Sequence, residues 1–212
     1  MKTREKIRYA SLALFNDEGE PNITTVDIAA EIEISPGNLY YHFKGKPSIM
    51  LELYEHFESE IIDILNAPLD NFKGDDSWIY IYVLFERIYQ FRFFYQNQHD
   101  ILQRIPELQP RFKRLLNRKF KTFVLLLSNF RDAGVIHVSD EELSVIAENT
   151  VLLQTHWLNY LQVRTGGMEE DVMLHRGVYQ LISMITPFLT EEHVGVKERF
   201  KEIYLDKVGA TA

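Results

Sequence analysis

The chain has 212 residues, enough for one large domain or two small ones, and a formal net charge of −8 at pH 7. It contains no cysteine, which excludes disulfides, thiolate metal sites and cysteine nucleophiles. The charged N-terminal segment has no apolar signal-peptide core, and no apolar run approaches the ~18–20 residues of a transmembrane helix. We therefore expect a soluble, cytoplasmic protein.

Helical periodicity runs through almost the whole chain, and the few glycines and prolines fall mostly at boundaries. The first part predicts four helices, at about 3–18, 25–32, 36–43 and 47–66. After a linker over 67–74 come further helical segments, at about 75–97, 98–104, 107–133, 140–164, 170–189 and 191–206. Because no strand alternation persists, the sequence predicts an all-α fold.

Two short helices after residue 23 carry the clearest local signals. Thr24 followed three residues later by Asp27 predicts the N-cap of the first short helix. Ser35 followed by Pro36 predicts the start of the second, since proline fits the first helical position at little cost. The spacing predicts a helix-turn-helix unit over 24–46.

The second short helix has an unusual outer face once its apolar anchors, Leu39 and Phe43, are set aside. Glycine lets a partner approach the backbone, a helix N-terminus offers free N–H groups to phosphate, and asparagine can read a base edge. The global charge does not favour DNA binding, but 35–46 holds two lysines and no acid. A single aromatic or histidine here would more often be structural, so the signal is the spaced set. Its members are Gly37, Asn38, Tyr41 and His42, with Tyr40 at the edge.

The sequence Thr24-Thr25-Val-x-Ile-Ala, followed by Ser35-x-Gly-Asn-Leu-Tyr-Tyr-His-Phe-Lys-x-Lys46, resembles the DNA-binding signature of the TetR family of bacterial transcriptional regulators. This resemblance covers about residues 5–55. Two later stretches, 91–106 and 176–187, resemble one group of the family's divergent C-terminal domains.

The resemblance implies a helix-turn-helix DNA-binding domain over 1–46, a connecting helix over about 47–66, and a larger helical ligand-binding and dimerisation domain within 47–212. It implies a transcriptional regulator, most simply a repressor that binds a near-palindromic DNA operator as a homodimer. A small, largely apolar effector would release it from the operator.

The resemblance also implies which residues meet DNA. Positions matching Gly37 and Asn38 approach base edges, and the others contact the backbone. The full set is Thr25, Ser35, Gly37, Asn38, Tyr40, Tyr41, His42 and Lys46. Family members often have glycine where this chain has Glu33, in a turn that suits a left-handed backbone. We therefore expect backbone strain at Glu33, and a negative charge near the DNA face.

Aromatic residues crowd the segment 78–95, where apolar side chains occupy nearly every face and predict a helix that is buried all round. Such residues are more often core than pocket. Tyrosine hydroxyls inside a core must be satisfied, however, and that requirement also suits a ligand cavity with a few polar groups. The candidate pocket residues are Tyr82, Phe85, Tyr89, Phe120 and Trp157.

The segments 140–164 and 170–189 are the dimer interface that the resemblance implies, with two helices from each subunit forming a four-helix bundle. Leucine-rich stripes are equally expected of a core within one chain. The candidate interface residues are Leu153, Leu161, Val178, Leu181 and Ile185.

Catalysis has little support in the sequence. There is no His-Glu-x-x-His, Gly-rich phosphate loop or Gly-x-Ser-x-Gly, and the seven histidines are scattered. We therefore expect no catalytic residues, no metal and no cofactor. A second hypothesis treats the chain as a lipid- or aromatic-binding module, or an unrecognised enzyme, whose N-terminal unit serves assembly. The acidic charge and Glu33 favour that alternative.

Overall fold

The computed structural model describes residues 1–69 and 74–209, and within these ranges the chain forms eleven α-helices. In chain order they are α1 (Thr3–Leu14), α2 (Thr25–Glu31), α3 (Pro36–His42), α4 (Lys46–Leu65), α5 (Gly74–Gln90), α6 (Arg92–Gln96), α7 (Gln98–Arg104), α8 (Leu108–Asp132), α9 (Asp140–Thr165), α10 (Glu170–Ile185) and α11 (Gly195–Gly209). The described ranges contain no β-strand, so the predicted all-α fold is confirmed. No helix in them is long and apolar enough to span a membrane.

Three predicted helix starts are confirmed by their caps. Thr24 Oγ1 accepts a hydrogen bond from the Asp27 amide at 3.3 Å, and the Asp27 carboxylate accepts one from the Thr24 amide at 2.8 Å. The same reciprocal box opens α9, between Ser139 and Glu142. At α3, Ser35 Oγ accepts from the Asn38 amide at 3.1 Å. These local contacts satisfy backbone donors that a helix leaves unpaired.

Most other boundaries lie within a few residues of the prediction, and α1 continues through a π-turn, Phe15–Gly19. The predicted helix over 170–189 ends earlier, at Ile185, and a 3₁₀ turn, Thr186–Phe188, follows it. The predicted linker over 67–74 lies partly outside the described residues.

The aromatic segment 78–95 corrects the expectation of one helix buried all round. The helix breaks at Phe91, whose backbone lies at φ −113° and ψ 34°, and a separate short helix follows. Ile79 on α5 is 61% exposed, while Glu86 and Arg87 are half-buried. This segment has apolar residues on nearly every face, but not all of these faces are buried. Single hydrophobic side chains are common on protein surfaces, so their presence alone does not indicate burial.

The described chain divides into two compact units. The first contains Met1–Ile61 and Gln90–Lys113, and the second contains Ile62–Tyr89 and the described residues from Arg114 onward. The sequence placed its boundary at residue 46 instead, on the basis of the signature motif.

An aromatic cluster explains why α4 belongs mainly to the first unit. The Phe57 ring lies 5.2 Å from Phe91, and the Tyr54 ring lies 5.1 Å from Phe94, which lies 5.3 Å from Phe112 (centroid distances). Packed aromatic pairs of this kind contribute beyond the apolar area that they bury. The cluster joins α4 to the segment 90–113, so the unit extends beyond the helix-turn-helix signature.

The second unit packs α10 closely against α5 and α9 at Gly177. A Cβ atom there would lie 2.8 Å from Trp157 Nε1 and 3.0 Å from Phe85 Cζ, so a larger residue would force a shift. Trp157 Nε1 donates to the Met173 carbonyl at 3.1 Å, which fixes the indole against α10. This contact layer lies in the middle of the second unit's core.

Candidate nucleic-acid interface

The turn between α2 and α3 sets the direction of the candidate DNA-reading helix. The Ile34 amide donates to the Ala29 carbonyl at 2.9 Å, and the Glu33 amide donates to the Ala30 carbonyl at 3.1 Å. This pair of bonds is a Schellman motif, whose left-handed position is normally glycine. Glu33 occupies it at φ 55°, the one positive φ of a non-glycine residue in the described chain. The backbone strain expected at this position is confirmed.

α3 presents the outer face that the sequence predicted. Leu39 and Phe43 are buried and anchor the helix, while Gly37 and Asn38 are exposed. Tyr41 is 78% exposed, so its side chain does not contribute to the core of the first unit.

The remaining side chains of this face are arranged around Tyr41. The Tyr41 and His42 rings meet edge to face, with centroids 5.2 Å apart. Tyr40 is exposed too, and Lys44 Nζ lies 4.7 Å from the centre of its ring. The face therefore offers phenol, imidazole and ammonium donors side by side, all suited to phosphate oxygens.

Gly37 has open space where a side chain would project. The nearest described atom to a Cβ built there is Ser35 Oγ, at 3.9 Å, so packing within the chain does not require a glycine. Its φ does not lie in the left-handed region either. A requirement for glycine at this exposed position would thus come from a partner approaching the helix closely.

The two remaining positions on this side of the unit have helix-capping or helix-start roles. Thr25 is the first residue of α2 and is half-buried, while the Ser35 hydroxyl already accepts the Asn38 amide. A capping hydroxyl retains its own O–H as a donor. Both residues can therefore donate to a phosphate without losing their structural contacts.

The prediction that Lys46 contacts the DNA backbone needs correction. Its ammonium bonds the Glu20 carboxylate at 2.9 Å, and the Glu20 and Ile23 carbonyls at 2.5 and 2.7 Å. Three donors are thereby used inside the unit, and none is left for DNA. The physical reason is Glu20, whose side chain is fully buried and must be paired; Arg104 also bonds it. No sequence signal marked Glu20 as buried.

A cavity of about 290 Å³ lies within the second unit, enclosed by α5, α8, α9, α10 and α11. Its wall is mainly apolar, with residues such as Ile81, Phe123 and Ile182. Thr150 also lines it, but its hydroxyl already donates to the Ile146 carbonyl at 2.8 Å. No Asp, Glu, Lys or Arg is among the described lining residues. The volume is near the lower end for small-molecule sites.

Two connecting segments meet at the wall of this cavity. Ile136 and Leu189, both lining residues, pair in an isolated β-bridge. The His137 amide donates to the Phe188 carbonyl at 2.8 Å, next to that bridge. His193 also lines the cavity and lies after the bridge.

The five aromatic residues predicted to line a pocket do not line this cavity, which corrects that prediction. Phe85 and Trp157 are buried around Gly177, and Tyr82 is half-buried with its hydroxyl donating to Asp171 at 3.0 Å. The other two, Tyr89 and Phe120, are half-buried. The wall of the cavity is made by other side chains, aliphatic and aromatic alike, so the residue types did not show which rings line it.

The predicted interface residues also need correction. Leu161, Val178 and Leu181 are buried within this chain, so a partner cannot contact them, and Ile185 lines the cavity. Of the five, Leu153 and Ile185 are partly exposed.

The sequence missed the residues that do face outward on α9 and α10. Leu152 is 57% exposed, and Tyr160 is exposed about two turns further along the same side of α9. With Leu153, Trp157 and Met184 they line a shallow surface groove. Val151, Leu152 and Leu153 are consecutive apolar residues, so the sequence could not reveal which side of the helix was outward.

Two family models match the chain. One, described as "Bacterial regulatory proteins, tetR family", covers residues 7–53 and therefore α2 and α3. The other, "TetR: Bacterial transcriptional repressor", covers residues 56–194.

Solved structures extend the similarity over the whole fold. A TetR-family transcriptional regulator from Marinobacter aquaeolei VT8 is 33% identical, covering 96% of this chain and 99% of that one, with a TM-score of 0.88. The ketosteroid transcriptional regulator KstR2 of Mycobacterium tuberculosis is 21% identical, covering 90% and 96%, with a TM-score of 0.59, and shows likeness of fold alone.

Curated relatives match over shorter stretches. The HTH-type transcriptional regulator AcrR of Shigella flexneri is 31% identical over 74 residues, which is 35% of this chain and 34% of that protein. The nucleoid occlusion factor SlmA of Salmonella paratyphi B is 29% identical over 83 residues, 39% of this chain and 42% of that protein. The chain thus spans well under half the length of these relatives.

Proposed function

Since this chain belongs to the TetR family of bacterial transcriptional regulators, we propose that it is a homodimeric repressor of a near-palindromic operator. A small, largely apolar ligand releases it from that operator. The chain is a DNA-binding regulator and not an enzyme.

The observation that carries this proposal is the exposed face of α3. In the proposed complex α3 enters the major groove, with Gly37 and Asn38 nearest the base edges. Tyr40, Tyr41 and His42 donate to the phosphate backbone. The open space at Gly37 supports this arrangement, because it removes the side chain that would hold the backbone away from DNA.

The exposed side of α9 and α10 is the proposed contact between two copies. Leu152, Tyr160 and Met184 lie along the groove there, and a two-fold axis would pair this patch with itself. Two helices from each copy then form a four-helix bundle. The copies of α3 must lie ~34–36 Å apart to meet successive major grooves.

The cavity of the second unit is the proposed effector site. A wall without acidic or basic residues favours a molecule that is mainly hydrocarbon. Such a ligand releases DNA only to the extent that it prefers a conformation with a different spacing of the two α3 copies.

Selection from a random double-stranded DNA pool with the purified chain tests the proposal. We expect enrichment of a near-palindromic sequence whose half-sites lie about one helical turn apart. No enriched sequence, even at low salt where non-specific contacts are strongest, would favour the alternative of a ligand-binding module.

A further inference from the structure

An amide is buried without partners in the second unit. The Gln154 side chain on α9 is 0% exposed. No described residue offers a hydrogen-bond partner to its Oε1 or its Nε2. An amide left unsatisfied in an apolar interior destabilises the folded chain, so its presence needs a reason beyond packing.

Gln154 lies directly beyond the cavity. It follows Thr150, a lining residue, by four positions, which places it on the same face of α9 and about 6 Å further along the axis. The neighbouring helix α8 repeats this offset, because Lys119 precedes the lining residue Phe123 by four positions. Lys119 is fully buried as well.

The step from Phe123 to Lys119 on α8 and the step from Thr150 to Gln154 on α9 both lead toward the same end of the second unit's helices. α8 and α9 are consecutive helices joined by the short segment 133–139, so their joined ends lie at one end of the cavity. Moving back along α8 from Phe123 and forward along α9 from Thr150 both lead away from that end. Gln154 and Lys119 therefore each lie one turn beyond a lining residue, on the side away from that end, and this pair is called the layer beyond the cavity.

This layer differs in chemistry from the cavity wall. Lys119 is the one Lys, Arg, Asp or Glu that is buried among the described residues of the second unit. Its burial lowers the pKa of the Lys119 ammonium to about 7, because desolvation penalises the charged form. An amide and a buried amine thus follow the hydrocarbon wall along α9 and α8, one turn beyond the lining residues Thr150 and Phe123.

We propose that the effector is an amphipathic monocarboxylate. This inference rests on the proposed ligand site and adds the class of ligand. The hydrocarbon part fills the cavity, and the carboxylate reaches the layer beyond it, accepting a hydrogen bond from Gln154 Nε2 and pairing with the Lys119 ammonium. A carboxylate suits both groups, because it accepts charge-assisted hydrogen bonds and carries the charge opposite to lysine.

Calorimetric titration of the full chain with decanoate and with 1-decanol separates the head group from the tail. We expect decanoate to bind at least ~10-fold more tightly, the size of a charge-assisted hydrogen bond. Gln154→Leu should remove most of this preference while 1-decanol still binds. Gln162→Leu is the matched control, an exposed glutamine two turns further along α9, and should keep the preference.

The melting temperature of the ligand-free variants gives a second readout. Gln154→Leu should raise it, because the substitution removes an unsatisfied amide at similar volume. A fall would mean that the amide is satisfied in the free chain, and would overturn the inference even if that variant folds poorly.

The outcomes separate the inference from the proposed function. Equal affinities for decanoate and 1-decanol would overturn the carboxylate assignment and leave an apolar effector site in place. Binding of neither probe would contradict the effector site itself, whereas operator binding is tested independently by the DNA selection.

Discussion

Glu33 has a left-handed backbone at the C-terminal end of α2. For an L-residue with a Cβ atom this conformation is disfavoured by ~1–2 kcal/mol, and glycine avoids the clash while adding entropy to the unfolded chain. We expect Glu33→Gly to raise the free energy of unfolding by about 0.5–1 kcal/mol in urea titrations. The control Glu31→Gly, inside α2, should lower it by about as much; the same sign for both would contradict this interpretation.

Lys46 and Lys44 are close in sequence but differ in role. Lys46→Met should lower the free energy of unfolding by ~2–3 kcal/mol, since it removes one partner of the buried Glu20 carboxylate while Arg104 remains. Lys44→Met should leave stability nearly unchanged and weaken operator binding, with a shallower dependence on salt. Urea unfolding and anisotropy titrations over a salt series measure both; a stability loss confined to Lys44→Met would reverse the assignment.

The lowered pKa of Lys119 makes the free energy of unfolding depend on pH. The folded-state pKa is lowered to about 7 from 10.5, so between these values the unfolded chain binds more protons than the folded one. The free energy of unfolding therefore rises with pH across this window, by up to ~1.4 kcal/mol per pH unit. As the pH is lowered from 10.5 this contribution is lost progressively, and the loss is complete near pH 7.

Urea unfolding at several pH values between 7 and 10 measures this contribution. Lys119→Met should remove the rise, whereas the exposed neighbour Lys121→Met should keep it. A wild-type slope retained by Lys119→Met would show that the pKa of Lys119 is not depressed.

Among the features of the helices, the sequence predicted those that depend on neighbouring residues in the chain. The caps of α2 and α3 depend on side chains within three residues of one another, and both were predicted correctly. The break at Phe91 and the outward side of α9 depend on distant neighbours instead. Periodicity could not choose a face on α9, because Val151, Leu152 and Leu153 are consecutive and apolar.

The outward side of α9 gives a prediction about assembly. Leu152→Glu should shift the chain from dimer to monomer in sedimentation velocity experiments, because the two-fold contact would bring two carboxylates together in an apolar interface. Leu125→Glu is the matched control: Leu125 on α8 is 54% exposed, against 57% for Leu152, and lies outside the groove. A dimer retained by Leu152→Glu would exclude this face as the contact.

For the molecule as a whole, the sequence predicted the DNA-binding face of α3 better than it predicted the cavity proposed to bind the effector. The face of α3 follows from a spaced motif within 24–46, and a single residue of it, Lys46, was misassigned because its partner Glu20 lies outside the motif. The cavity has no comparable motif. It is the space left between five helices, so its lining depends on how aliphatic and aromatic side chains pack together.

DNA binding by the exposed face of α3 is the basis of the proposed function. Anisotropy titration of the selected operator with the Tyr41→Ala variant measures it, and Tyr9→Ala is the control, since Tyr9 is an exposed tyrosine on α1. We predict that Tyr41→Ala weakens operator binding by roughly 10-fold or more at fixed salt, while Tyr9→Ala binds as the wild type does. If a folded, dimeric Tyr41→Ala chain kept the operator affinity of the wild type, this face of α3 would not be the DNA-binding surface.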